Sequence, residues 1–280
     1  MILLADSGST KTDWRLILDD GETHAFRTRG FNPNYQDSQE ISKELRQELM
    51  PSLKDHLAEN IYFYGAGCSS NEKQSIVRSA LQDYFPNSKI EVQSDLIGAA
   101  RALCGRQQGI ACILGTGSGS CSWDGHKITE QIPSLGFILG DEGSGAWLGK
   151  KLITAFLRSK LPPKIHNDLK NSFHINKEEI LNRINMEEIP SRYLAAFAKF
   201  YSAHLDDPYI FELAYKSFTD FAENYIIRYQ GFRTKPVHFI GSIAFHNKII
   251  LEQVAQNMNF KIEKIISNPI DGLIQYHTDI

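Results

Sequence analysis

Asp6-Ser7-Gly8-Ser9-Thr10-Lys11-Thr12 is a small polar turn set between two apolar runs, Ile2 to Ala5 before it and Trp14 to Leu18 after it. A strand, a Gly/Ser turn and a returning strand make a hairpin, and Asp19-Asp20-Gly21 predicts a second tight turn into a third strand from Thr23 to Thr28. Farther on, Ile41, Leu45 and Leu49 fall at helical spacing. Ile61-Tyr62-Phe63-Tyr64 reads as a buried strand running into Gly65-Ala66-Gly67. Ile76, Val77, Ala80, Leu81 and Tyr84 mark another helix. Ile90 to Gln93 alternates as a strand, and a helix begins after Ser94-Asp95. The order is βββαβαβα, an α/β domain that opens with three antiparallel strands.

From Gly109 the pattern starts again. Ile110 to Leu114 is a strand, Gly115-Thr116-Gly117-Ser118-Gly119-Ser120 a Gly/Ser turn, Cys121 to Trp123 a returning strand, and Asp124-Gly125 the next hairpin turn. What repeats is topology rather than residue identity. Residues 142–230 read as almost wholly helical, with one apolar stripe made of Ile210, Leu213, Ala214, Phe218, Phe221, Ala222, Tyr225 and Ile226. Val237 to Ile240 is a strand entering Gly241-Ser242, and a helix and a strand near Lys261 to Ile266 follow. The pattern predicts an N-terminal lobe over 1–108, a C-terminal lobe over 109–267, and a terminal helix over 268–280 that returns to the first lobe.

The 280 residues carry 30 Lys plus Arg against 33 Asp plus Glu, a formal charge of −3, with 42% hydrophobic residues. These values describe a globular chain. Without a basic run there is no electrostatic footprint for nucleic acid or an anionic membrane, and a small-molecule partner is expected. No apolar stretch approaches the roughly 20 residues of a membrane helix. Cys68, Cys104, Cys112 and Cys121 show no C-x-x-C spacing, and nothing at the N-terminus reads as a signal peptide, so the expected setting is a reducing cytoplasm. The histidines form no zinc pattern. Trp14, Trp123 and Trp147 are expected in the core.

The chemistry gathers in the turns. Glycines cluster at strand C-termini, where open α/β sheets bind ligands. No G-x-x-x-x-G-K-[ST] is present, and no G-x-G-x-x-G follows a strand, which disfavours the P-loop and dinucleotide folds. The two hairpin turns, over 6–12 and 115–118, offer backbone N–H groups and hydroxyls suited to phosphate oxygens. Asp6 adds a carboxylate where Mg²⁺ would sit, through water, because Mg²⁺ sheds its hydration shell reluctantly. Lys11 would offset charge on a transferred phosphoryl group, or it is a solvated turn lysine.

In this order the motifs resemble a known superfamily. Asp6-x-Gly8-x-Thr10-x-Thr12 is similar to the first phosphate motif, and Leu114-Gly115-Thr116-Gly117-Ser118 to the second, of the fold shared by actin, hexokinase and the large heat-shock chaperones. Gly140-Asp141-Glu142-Gly143-Ser144-Gly145, with Gly30-Phe31-Asn32-Pro33-Asn34, resembles the N-acetylglucosamine kinase-like family. That family also holds the ATPases that activate benzoyl-CoA reductases and hydroxyacyl-CoA dehydratases. Phe239-Ile240-Gly241-Ser242-Ile243 resembles the adenosine motif, although such kinases usually show a Gly-Gly pair there.

The resemblance implies two actin-like ATPase (ribonuclease H-like) lobes with a central cleft, the second enlarged by helices, binding ATP and Mg²⁺. It implies nucleotide contacts from Asp6, Gly8, Ser9, Thr10, Lys11, Thr12, Gly115, Thr116, Gly117, Ser118, Gly241 and Ser242. Sugar contacts would come from Asn32, Asn34, Asp95, Gly140 and Asp141. It makes Asp95 the catalytic base, since an alcohol attacking a γ-phosphoryl group needs a proton acceptor. Read locally, Asp95 is equally a helix N-cap, Asn34 a turn residue and Asp141 a cap for a helix over 142–157. Glu142 reads as structural, in that helix's first turn.

The expected activity is an amino-sugar kinase, acting on N-acetylglucosamine to give the 6-phosphate, with N-acetylmuramic acid and glucosamine as other acceptors. Homodimers are usual among such kinases. The rival is an ATPase activator of an electron-transfer or dehydratase partner, which would hold an iron–sulfur cluster through cysteines. Cys104, Cys112 and Cys121 read instead as buried small hydrophobes.

Overall fold

The computed structural model describes residues 1–8, 10–53, 56–186 and 189–278. The chain divides into two compact units. One comprises Met1–Gln107, Gly125–Lys127 and the chain from Asn268, and the other comprises Gln108–Asp124 and Ile128–Ser267.

In the first unit, β1 (Ile2–Ser7), β2 (Lys11–Ile17), β3 (Thr23–Arg29), β4 (Asn60–Gly65) and β5 (Lys89–Ser94) form a sheet in the order β3-β2-β1-β4-β5. The three hairpin strands are antiparallel, and β4 and β5 continue parallel to β1. Side chains alternate across the central strand, so both faces are buried. Leu3 and Ala5 join Trp14, Phe31, Ile41, Leu45, Leu49 and Phe63 on one face. Leu4 joins Tyr64, Ala102, Ile270 and Leu273 on the other, beneath the helices Asp95–Cys104 and Ile270–Thr278. The helix Ser38–Glu44 opens on a capping box between Asp37 and Glu40 and passes into a π-helical turn, Leu45–Leu49. That wider turn suits the spacing of Ile41, Leu45 and Leu49, all fully buried, because residues four apart drift around a regular α-helix.

The second unit repeats the plan. Its strands β6 (Gly109–Leu114), β7 (Ser118–Trp123), β8 (Ile128–Glu130), β9 (Val237–Ile240) and β10 (Ile262–Ile266) take the order β10-β9-β6-β7-β8. Thus the repeat extends to the whole five-strand sheet. Strand β8 is the member that pattern reading did not mark. It spans three residues, two of them exposed, too few to show an alternation. Between β8 and β9 the chain is helical. In Pro208–Asn224, capped by Asp207, the residues Ile210, Ala214, Phe218, Phe221 and Ala222 are buried against a core that includes Leu114, Leu148 and Leu152.

Two sequence expectations are corrected here. The helix expected over 142–157 runs Gly145–Leu157 and is capped by Ser144, whose side chain accepts from Trp147 N. Asp141 is therefore not its cap, and Glu142 lies in the preceding turn rather than in the first helical turn. Trp14 and Trp123 are core residues, but Trp147 is half-buried, with the Lys150 and Lys151 ammonium groups 4.5 and 4.4 Å from its ring centre. Among the described residues, no helix is long and apolar enough to cross a membrane.

Candidate active site

In the first unit the strand register lines up one row of side chains across the whole sheet: Arg27 on β3, Asp13 on β2, Asp6 on β1, Tyr64 on β4 and Gln93 on β5. Directly paired residues project to the same face. Asp6 thus stands at the end of the central strand, flanked by Asp13 and Tyr64, on the face covered by the helix that begins at Asp95. Burial, then the charges of Asp95 and Asp13, push its carboxyl up to about 7, against a lowering pull from Lys11. Burial also raises the Asp95 carboxyl, opposed by the backbone N–H groups of Leu96 and of Asp95 itself.

Residues on the opposite side of the hairpin lock the turn. Thr12 is fully buried, its hydroxyl donating to the Arg29 carbonyl oxygen at 2.9 Å and lying 2.8 Å from Ser7 Oγ. Ser7 Oγ in turn accepts from Phe31 N at 2.9 Å. Gly8 N donates to the Lys11 carbonyl oxygen at 3.0 Å and closes the turn. Thr10 and Lys11 are exposed at its tip, and Ser9 lies outside the described residues.

Strand β4 ends in the loop through Gly67, which has φ +83. A Cβ there would lie 2.2 Å from Asn32 Oδ1 and 3.0 Å from Asn34 Nδ2, so glycine is what allows both asparagines to approach. Asn32 Oδ1 also accepts from Asn34 N at 3.0 Å, an Asx turn. The first unit therefore gathers Asp6, Gly8, Thr10, Lys11, Thr12, Asn32, Asn34 and Asp95 around the C-terminal ends of β1, β4 and β5.

The second unit gathers its own set. The 115–118 turn is tied to the start of the helix Gly145–Leu157 through Gly145 N to the Gly115 carbonyl (2.8 Å) and Ala146 N to the Thr116 carbonyl (3.0 Å). Among the described residues, Thr116 N and Gly117 N donate to no protein acceptor. Asp141, only 7% exposed, braces this turn: its Oδ1 accepts from Ser118 N and from Ser134 Oγ, each at 3.3 Å. Its backbone holds φ +62, in the left-handed region that aspartate tolerates better than most residues with a side chain. Burial raises its carboxyl above the usual range, with Ser118 and Ser134 opposing. Gly241, at φ +117, approaches the end of β6 so closely that a Cβ would lie 2.2 Å from the Leu114 carbonyl oxygen. Gly241 and Ser242 therefore neighbour the 115–118 turn, and Gly140 directly precedes Asp141.

Sequence reading gave no role to Asp13, Ser7, Ser94 or Ser134, and it placed Gly67 among the strand-end glycines without linking it to Asn32 and Asn34. A carboxylate two residues beyond Lys11 on the same strand face was the available signal for Asp13. Ser94 caps locally, three residues from Ile97 N, whereas Ser7, Ser134 and Gly67 act through partners farther along the chain, Phe31, Ser118 and Asn32. Cys68, Cys104, Cys112 and Cys121 are all buried.

Two sheets of one strand order, each led by a hairpin with a Gly/Ser turn, define the actin-like ATPase fold. No family model matches the chain. It is 41% identical to a solved protein of Porphyromonas gingivalis, provisionally designated an N-acetylglucosamine kinase, over 100% of this chain and 99% of that one, with a TM-score of 0.95. The chain belongs to the family of that protein, the N-acetylglucosamine kinase-like branch of the actin-like ATPases. A Chromobacterium violaceum structure of the same provisional designation, 17% identical over 98% of each chain with a TM-score of 0.73, shares the fold. An N-acetylmuramic acid/N-acetylglucosamine kinase of Clostridium acetobutylicum is 28% identical over 162 residues. That match takes in 55% of this chain and 52% of the other, about half the length of the curated relative.

Proposed function

We propose that the protein is an ATP-dependent amino-sugar kinase that phosphorylates the 6-hydroxyl of N-acetylglucosamine. The observation that carries the reading is Asp95, a carboxylate in the first turn of its helix, relieved of capping by Ser94 and raised by burial toward the proton affinity a general base needs. The residues also fit a Mg²⁺–nucleotide. Asp6 is a buried carboxyl crowded by two others, an arrangement that a divalent cation stabilises, and the Thr116 and Gly117 N–H groups are available for phosphate oxygens. Because Mg²⁺ sheds its hydration shell reluctantly, Asp6 would act on it through water.

ATP supplies the transferred phosphoryl group, and Mg²⁺ neutralises its phosphates. In the first unit, Asp95 accepts the proton of the sugar hydroxyl, Asn32 and Asn34 orient the acceptor, and Lys11 offsets charge on the phosphoryl oxygens. Gly8 and Thr10 belong to the first phosphate turn, Thr12 fixes its shape from inside, and a phosphate contact from Ser9, outside the described residues, stays an implication of the family resemblance. In the second unit, Gly115, Thr116, Gly117 and Ser118 face phosphate, Gly241 and Ser242 face the adenosine, and Gly140 and Asp141 hold sugar hydroxyls. Homodimeric assembly belongs to the same proposal and rests on the family resemblance, and the cytoplasmic setting rests on the cysteine pattern read from the sequence.

The test is ATP consumption against N-acetylglucosamine, N-acetylmannosamine, N-acetylmuramic acid, glucosamine and glucose, with mass analysis of the product. N-acetylglucosamine is expected to gain one phosphoryl group. The name of the curated relative makes N-acetylmuramic acid the next acceptor to rank. ATP turnover indifferent to every sugar would overturn the reading.

A further inference from the structure

We infer that Asp13 is a positioning residue that holds the Lys11 ammonium at the first phosphate turn, with Arg27 cancelling the charge this would otherwise cost. The inference rests on the kinase reading and adds a part to its machinery.

The geometry is specific. Asp13 follows Lys11 by two residues on β2, so both project to the same face. Its carboxylate divides its oxygens between two cations: Oδ2 takes Lys11 Nζ, and Oδ1 takes Arg27 Nε at 2.9 Å from the directly paired position on β3. The Asp13 side chain is only 14% exposed, whereas those of Lys11 and Arg27 are 50% and 67% exposed. The fixed member of the trio is therefore the carboxylate, and the lysine leans on it. Burial alone would raise the Asp13 carboxyl, yet the bonds from Lys11 and Arg27 outweigh it and hold the carboxyl below the usual range.

A lysine at the tip of a turn has a long flexible stem, and holding it before the nucleotide arrives removes an ordering cost from binding and from the transition state. A lone Lys–Asp pair would be neutral and would draw no phosphate. Arg27 on the far oxygen makes the trio net positive. Asp13 serves the lysine rather than the hairpin itself, because the hairpin is already closed by Gly8 N and locked by Ser7 and Thr12 from the other face.

The deciding experiment is a double-mutant cycle with Lys11→Ala and Asp13→Asn, read as kcat, as KM for each substrate, and as affinity for the non-hydrolysable analogue AMP-PNP with Mg²⁺. Asp13→Asn is expected to lower kcat about tenfold with KM for N-acetylglucosamine unchanged, and to change nothing further in the Lys11→Ala background. A purely structural aspartate would lower activity by the same factor in both backgrounds, and that result overturns the inference. So does full activity of the single variant. If Asp13→Asn does not fold, Arg27→Gln approaches the same carboxylate from its exposed partner: a rise of several-fold in KM for ATP is expected, and no rise overturns the inference. Absence of sugar phosphorylation by the wild type would instead remove the kinase reading. The AMP-PNP cycle would still decide whether Asp13 acts through Lys11.

Discussion

Ser94, and not its neighbour Asp95, caps the helix that follows β5: Ser94 Oγ accepts from Ile97 N at 3.3 Å, while Asp95 Oδ1 accepts from the adjacent Leu96 N at 2.9 Å. The capping reading of Asp95 is thereby replaced. Asp95→Asn should leave the helix and nucleotide affinity intact, the latter within a few-fold, while lowering kcat by about 10² to 10⁴. Steady-state kinetics with binding calorimetry check this. A variant that keeps more than about a tenth of wild-type turnover would remove Asp95 from the role of base.

Asp6 links magnesium to pH. With its carboxyl pushed up to about 7 in the absence of a cation, the residue is mostly protonated at pH 6 and mostly ionised at pH 8. Mg²⁺ competes with that proton, so the apparent Mg²⁺ affinity should fall as pH drops below 7, by up to about tenfold per unit. Mg²⁺ titrations of activity at pH 6, 7 and 8 measure it. Asp6→Asn should weaken and flatten the response, and an unaltered titration curve in that variant would contradict the placement of Asp6 beside the cation.

Gly67 is a sterically determined position. In Gly67→Ala, the new methyl group meets Asn32 Oδ1 at 2.2 Å and the backbone must keep φ +83. A loss of about 1–3 kcal/mol is expected, together with a raised KM for the sugar as Asn32 and Asn34 are displaced. Thermal melts and acceptor titrations read the two effects separately. An unchanged melt with an unchanged KM would show that the loop does not position the acceptor.

Acid should destabilise the fold through two histidines. Burial lowers both His238 and His277 to about 4, the latter with help from Arg101, and His277 lies 2.7 Å from the Tyr64 hydroxyl. Unfolded, each titrates near 6.5. Between those values the unfolded chain binds more protons, so stability is full above about 6.5 and declines toward 4, by about 1.4 kcal/mol per pH unit for each histidine. Urea unfolding at pH 7, 6 and 5 measures the slope, and His277→Gln should reduce it. An identical slope in that variant would mean that His277 is not buried neutral.

Much of the fold is legible in residues a few positions apart. The hairpin around Asp6 to Thr12, the runs at Ile61 to Tyr64 and Ile90 to Gln93, and the second beginning at Ile110 are set by local backbone preferences and by side-chain period, which depend on near neighbours. Strand β8 escaped because three residues carry no period, and the start of the helix at Gly145 escaped because Ser144 and Asp141 are equally good caps on paper. The choice between them rests on Asp141's left-handed backbone and its bonds to Ser118 and Ser134.

By itself, then, the sequence determined the elements, the two Gly/Ser turns and the residue types able to handle phosphate and a proton. Only the tertiary structure decided which of those side chains meet. Arg27, Asp13, Asp6, Tyr64 and Gln93 share one row because separate strand pairings bring them into register. Register follows from burying whole strand faces, since a slip of one residue would turn every side chain in the row to the other side of the sheet. For that reason the partners of Lys11 and the surroundings of Asp6 emerge only once the sheet is assembled.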